Sequence, residues 1–118
     1  MLPKYKYLLT YRYAEIIHDL TVEFCRRFLP GREMLRQRDQ MVQAARSGKQ
    51  NIVEGIGQSR TSKKGEIKLL GVAKASLEEL LTDYEDFLRQ RKFPIWPKLD
   101  SKVASFRRFL LRKPVIIY

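Results

Sequence analysis

Cysteine is almost missing from this 118-residue chain: Cys25 stands alone, which excludes an intramolecular disulfide and any zinc cluster built on thiolates. Histidine is as scarce, with His18 the only one, so a metal site needing several imidazoles would have to be shared between chains. Six glycines and five prolines are too few for a collagen-like or low-complexity polymer. Long apolar runs are also lacking. Near Met1 the longest is Leu8-Leu9, so neither a secretory leader nor a membrane span is expected, and the cytoplasm is the default address. Acidic residues are short as well, 13 against 24 Lys and Arg, for a net charge of +11. What the chain does have is 44% hydrophobic residues, enough for a real core, over a length that suits one domain spanning residues 1–118.

The excess charge is uneven. It runs +2 over residues 1–31, +3 over 32–60 and −2 over 61–88. Residues 89–113 then carry +8, nine cations against the single acid Asp100. A surface that meets polyanions should therefore be built mainly from the end of the chain.

Apolar residues recur at helical spacing throughout. Ile17, Leu20, Thr21, Phe24 and Phe28 predict a first helix over about 12–29, stopped by Pro30-Gly31. Met34, Met41, Ala45, Ile52 and Ile56 predict a second over 32–57, ending near Gly57. Thr61 or Ser62 can cap a third, over 62–91, whose stripe is Ile67, Leu70, Leu77, Leu81, Tyr84 and Leu88. Phe93-Pro94-Ile95-Trp96-Pro97 breaks it, and Leu99, Val103, Phe106 and Leu110 trace a fourth over 97–112. No strand signal competes except the short Val115-Ile116-Ile117-Tyr118 end. The expected fold is all-α, an antiparallel four-helix bundle.

Gly48 and Gly55, seven apart, share a face of the second helix, and Gly71, Ala75 and Ser76 form a small-residue patch on the third. Close approach between helices or subunits would offset the roughly 1 kcal/mol that a helical glycine costs. Phosphate-loop chemistry is excluded: Gln43 stands where the upstream glycine belongs, and Gln50 where a Ser or Thr would hold magnesium. Gly55-Ile56-Gly57 is no dinucleotide fingerprint either, because Arg60 replaces the third glycine and no strand precedes it.

The run Asp39-Gln40-Met41-Val42-Gln43-Ala44-Ala45-Arg46-Ser47-Gly48-Lys49-Gln50-Asn51-Ile52-Val53-Glu54-Gly55 is followed by Thr61-Ser62-Lys63, Glu66-Ile67-Lys68-Leu69 and Ala75-Ser76-Leu77-Glu78-Glu79-Leu80-Leu81. Together these strings resemble the bacterial four-helix-bundle proteins encoded by intervening sequences in ribosomal RNA genes, and most of all their suffix-domain subgroup. The likeness runs from about Tyr11 to Trp96. It implies a bundle assembling into a ring-shaped homo-oligomer, a pentamer, with a positive surface. A related protein, the accessory variability protein of diversity-generating retroelements, binds nucleic acid beside a reverse transcriptase. The family carries no established catalytic activity.

Within those strings Asn51, Glu54, Ser76 and Glu79 are polar positions flanked by apolar ones, and a hydrogen-bonded set fixing helix register is expected there. Glu79 and Asp83 repel on one face unless cations such as Arg36, Arg38 or Arg46 reach them. Glu15-Ile16-Ile17-His18 has the Glu-x-x-His spacing of di-metal bundles, but a single copy does not make such a site. Cys25 beside Arg26 and Arg27 reads as a packed thiol. No enzyme, no metal and no cofactor is expected.

A polyanion surface has better material. With a fourth helix beginning near Pro97, Lys98, Lys102, Ser105, Phe109 and Arg112 share one face, with Arg107 and Arg108 outside it. Cations flanking an aromatic suit phosphate contacts with a base stacked on Phe109, although that ring could instead pack on another subunit or the chain's own end. Arg32, Arg36, Arg46 and Lys49 are candidate phosphate contacts on the second helix. The expectation is a non-enzymatic, homo-oligomeric nucleic-acid-binding bundle, accessory to a partner such as a reverse transcriptase. A scaffold that binds an acidic protein is the alternative.

Overall fold

A computed structural model describes residues 8–58 and 61–112, with side chains to Phe109. Every regular element among them is helical: α1 (Leu9–Phe28), a 3-10 turn over Arg32–Met34, α2 (Leu35–Gln58), α3 (Lys63–Gln90) and α4 (Ser101–Arg112). No helix among the described residues is long and apolar enough to cross a membrane. The chain forms two compact units, residues 1–83 and 84–118, with the division inside α3.

Local chemistry sets the helix ends. α1 stops because Gly31 takes φ +93°, open to glycine at little cost, after Pro30. Arg38 Nη1 then donates to the carbonyls of Leu29 and Gly31 at 2.5 and 2.6 Å, satisfying acceptors that the end of a helix leaves open. Ser62 caps α3, its Oγ accepting from Gly65 N at 3.0 Å, as the sequence suggests. α3 ends in a paired-bond motif in which Lys92 N donates to Arg89 O and Phe93 N to Leu88 O. Lys92 sits there at φ 60°, where glycine is usual. α4 begins at Ser101, four residues later than Pro97. Asp100 N closes a turn on Pro97 O, and Asp100 Oδ1 accepts from Lys102 N at 2.8 Å. A carboxylate able to cap outcompetes a proline start.

In residues 1–83, contacting positions on α2 fall as those on α1 and α3 rise, so α2 runs opposite to both. Lys49 meets His18 and Arg38 meets Cys25, while Gly48 faces Leu77 and Gly55 faces Leu70. The core lies where Tyr11 and Ala14 of α1, Ile52 of α2 and Ala73 of α3 meet, flanked by Val53 and Ile56. Met41 and Thr21 are the bulkiest fully buried side chains.

α2 buries Met41, Ala45 and Ile52 as the periodicity predicts, but the buried faces of α1 and α3 differ in part from the predicted ones. α1 buries Tyr11, Ala14, Thr21 and Cys25, while Leu20 is exposed and Phe28, 54% exposed, stacks tilted on Phe24 with centroids 5.2 Å apart. Small side chains let two helix axes come close, and this turns the heavier stripe outward. α3 buries only Ala73 and Leu80, leaving Ile67 64% and Leu81 57% exposed. Gly48 and Gly55 do mark close approach, to Leu77 and Leu70. Gly71 does not, because nothing lies within 4 Å of where its Cβ would be.

No residue from 84 to 109 is buried. Leu99, placed in the core stripe by its spacing, is 95% exposed and lies in the turn before α4, and Phe106 is exposed as well. Leu110 lies outside the described side chains, and Val115 to Tyr118 lie outside the described residues.

Candidate functional site

The candidate cations fall into two groups, one in each compact unit. In residues 84–109, cations are interspersed with aromatics, of which Phe93, Trp96, Phe106 and Phe109 are exposed. Arg91 lies over the Phe87 ring at 3.7 Å, and Lys102 Nζ lies 5.3 Å from the centroid of Trp96. Such contacts hold a cation beside a π-face without neutralising it. Arg108 Nη2 donates to Ser105 Oγ at 3.2 Å, and Arg107 is exposed. Among the described residues no carboxylate comes within ion-pairing distance of Lys98, Lys102, Arg107 or Arg108. Arg89 is different, being paired with Asp86 at 3.2 Å. Because α4 starts at Ser101, Lys98 lies in the preceding turn and not on the helical face with Lys102. The side chain of Arg112 lies outside those described. Trp96, framed by two prolines in the sequence, is the residue that spacing alone missed: it belongs to no helical stripe, yet it receives Lys102.

The second group lies along α2. Arg32 sits in the 3-10 turn before the helix, and Arg36 and Arg46 are exposed. At about 100° per residue, Arg36 and Lys49 are about 140° apart around the axis, whereas Arg46 and Lys49 are only about 60° apart. The four do not make one stripe. Arg46 and Lys49 share a face, and Lys49, half-buried between α1 and α2, donates to His18 Nδ1 at 2.9 Å. His18 is held below its ordinary pKa of 6.5, first by burial and then by Lys49, with Arg46 adding to the effect and Asp19 opposing it.

Other expected constellations resolve differently. Glu15 Oε2 accepts from the Tyr11 hydroxyl at 3.1 Å, and His18 Nδ1 meets Lys49 Nζ at 2.9 Å. Among the described residues no group of three His, Cys, Asp or Glu could hold a metal ion. Cys25 is buried and its thiol is pushed up by desolvation. The cation that opposes this is Arg38, while Arg26 and Arg27 pair with Glu23 at 2.6 and 2.8 Å. The expected polar set is partly present. Asn51 Nδ2 donates to Ser47 O and Oγ, and Ser47 Oγ meets Ser76 Oγ at 3.0 Å across α2 and α3. Glu54 and Glu79 stay outside it, exposed. Arg38 is spent on the α1 terminus and so does not serve Glu79 or Asp83.

On residues 1–83 an apolar groove of about 490 Å³ runs along α3, lined by Thr10, Ile52, Leu70, Ala73, Leu77 and Leu81. No protein-family model, curated protein or solved structure matches the chain.

Proposed function

We propose that the protein is a non-enzymatic, basic helical protein that binds nucleic acid through the phosphate backbone, as an accessory to a nucleic-acid-processing partner such as a reverse transcriptase. The observation carrying this reading is the surface of residues 84–109, where Lys98, Lys102, Arg107 and Arg108 have no carboxylate within ion-pairing distance among the described residues and Lys102 lies over the exposed ring of Trp96. Cations without acidic partners release counterions when they meet phosphate, and exposed rings offer stacking platforms to unpaired bases.

Assembly is part of the proposal. A four-helix bundle arranged as a homo-oligomeric ring, a pentamer, agrees with the family strings in α2 and α3 and would cover apolar surface that one chain leaves open, including Ile67, Leu81 and the α3 groove. The exposed apolar residues also favour the second reading, a scaffold for an acidic protein.

Salt response and copurifying polymer separate the two. Purified at low salt, a nucleic-acid binder carries nuclease-sensitive material and shifts oligonucleotides in a gel, with affinity falling steeply as salt rises. Protein free of such material that shifts neither single strands nor duplexes at low salt would reject the first reading. Light scattering tests assembly: a mass near five subunits supports the ring, and a monomer across micromolar concentrations excludes it.

A further inference from the structure

Lys49 presents an unusual combination. Lys49 is half-buried at the α1–α2 seam, and its described partner is a neutral ring nitrogen, His18 Nδ1 at 2.9 Å, in place of a carboxylate. Removing charge from water is costly unless an opposite charge compensates it, and a neutral acceptor supplies none. Arg46, one turn away on the same face, adds a second cation, and no carboxylate lies within ion-pairing distance of either among the described residues. The acid that acts on His18 is Asp19, exposed on α1.

We infer that Lys49, Arg46 and His18 form a phosphate-binding site whose occupation is coupled to protonation of His18. By accepting from Lys49, Nδ1 fixes the neutral tautomer with its proton on Nε2. A phosphate reaching the seam takes donors from Lys49 and Arg46. When the ring gains a proton from solvent, Nδ1 turns from acceptor to donor, releases Lys49 and gives its own N–H to the same phosphate. The anion then compensates three cationic groups that otherwise repel one another, so it binds the imidazolium form more tightly than the neutral one. Asp19 favours the same protonated ring but competes for it, which limits the gain. This site rests on the nucleic-acid reading for its natural ligand, a backbone phosphodiester, but its chemistry is that of any phosphate group.

The test uses the intact protein and the ring proton signals of its only histidine, which need no assignment. His18 is titrated by NMR in chloride buffer, in inorganic phosphate and with a short oligothymidylate. In chloride the midpoint should lie below 6.5. Saturating phosphate or oligothymidylate should raise it by about one pH unit, which corresponds to about tenfold tighter binding to the protonated ring. Lys49→Gln should abolish that rise. If oligothymidylate binds by fluorescence anisotropy while neither it nor phosphate moves the His18 midpoint, the site is wrong and the nucleic-acid reading survives. If phosphate raises the midpoint but oligothymidylate neither binds nor raises it, the site stands for small phosphates and the nucleic-acid reading falls. A midpoint unmoved by both, with no oligothymidylate bound, removes both proposals.

Discussion

A methyl group on Gly48 would sit 2.6 Å from Leu77 Cδ2, so α2 and α3 reach their spacing at this level because residue 48 has no side chain. Gly48→Ala gains about 1 kcal/mol of helix propensity but must displace a branched leucine, at a cost of about 1–3 kcal/mol. The expected net effect in urea unfolding is a loss of about 1 kcal/mol. Gly55→Ala meets Leu70 at 3.1 Å, and Leu70, on the rim of the groove, has room to move, so this variant should be near neutral. Gly71→Ala, with nothing nearby, should gain about 1 kcal/mol. A loss at Gly71 would instead show another chain packed against it.

Glu23 lies at the surface, yet its carboxyl is pulled from 4.5 down to about 2, first by its hydrogen bonds from Arg26 and then by the one from Arg27. Arg26 donates through Nε and Nη2, whereas Arg27 donates through Nε alone. Arg26→Gln should therefore raise the Glu23 midpoint further towards 4.5 than Arg27→Gln does, as read by carboxyl-carbon NMR at low salt. Because the folded value is the lower one, any stabilisation is complete above 4.5 and fades as pH falls through about 2. Equal shifts in the two variants would contradict the two-bond geometry.

His18 links stability to a milder acid range. Its folded pKa lies below 6.5, chiefly through burial and then Lys49, so between the two values the unfolded chain binds the proton more readily. The stabilisation from His18 is complete above 6.5 and is lost as pH falls through the lower folded value. Unfolding midpoints measured from neutral to mildly acidic pH should fall more steeply for the natural protein than for His18→Gln. Parallel curves would remove the linkage.

Lys102→Gln, Arg108→Gln and Arg112→Gln together should weaken binding uniformly across nucleic-acid sequences. Each lost duplex contact removes about 0.9 from the slope of log affinity against log salt, or about 0.7 for single strands, so the slope should become shallower by about two. If affinity and slope are unchanged in a protein that still assembles, binding must be sought at Arg32, Arg36, Arg46 and Lys49 or given up for the scaffold reading.

Legibility differs from residue to residue. Ser62 was readable as a cap because a hydroxyl just ahead of a helical pattern acts within one turn. Gly48 and Gly55 were readable as a close approach because their spacing puts them on one face, though Leu77 and Leu70 as the counterparts were not. The late start of α4 was missed because Pro97 and Asp100 both favour a beginning, and only the observed bond from Lys102 N decides between them.

Sequence alone determined that this chain is helical, where its helices stop and that its charge gathers at the end, since periodicity, Pro30-Gly31 and a count of side chains act locally or not at all through folding. Tertiary structure decided which face each helix buries. On α1 the small Ala14 and Cys25 are buried beside the expected Thr21 while the heavier Leu20 and Phe28 stay exposed, because tight helix approach rewards small side chains as much as apolar ones. It also decided that His18 meets Lys49, 31 residues away, a contact created by the pairing of α1 with α2 and invisible in either segment by itself.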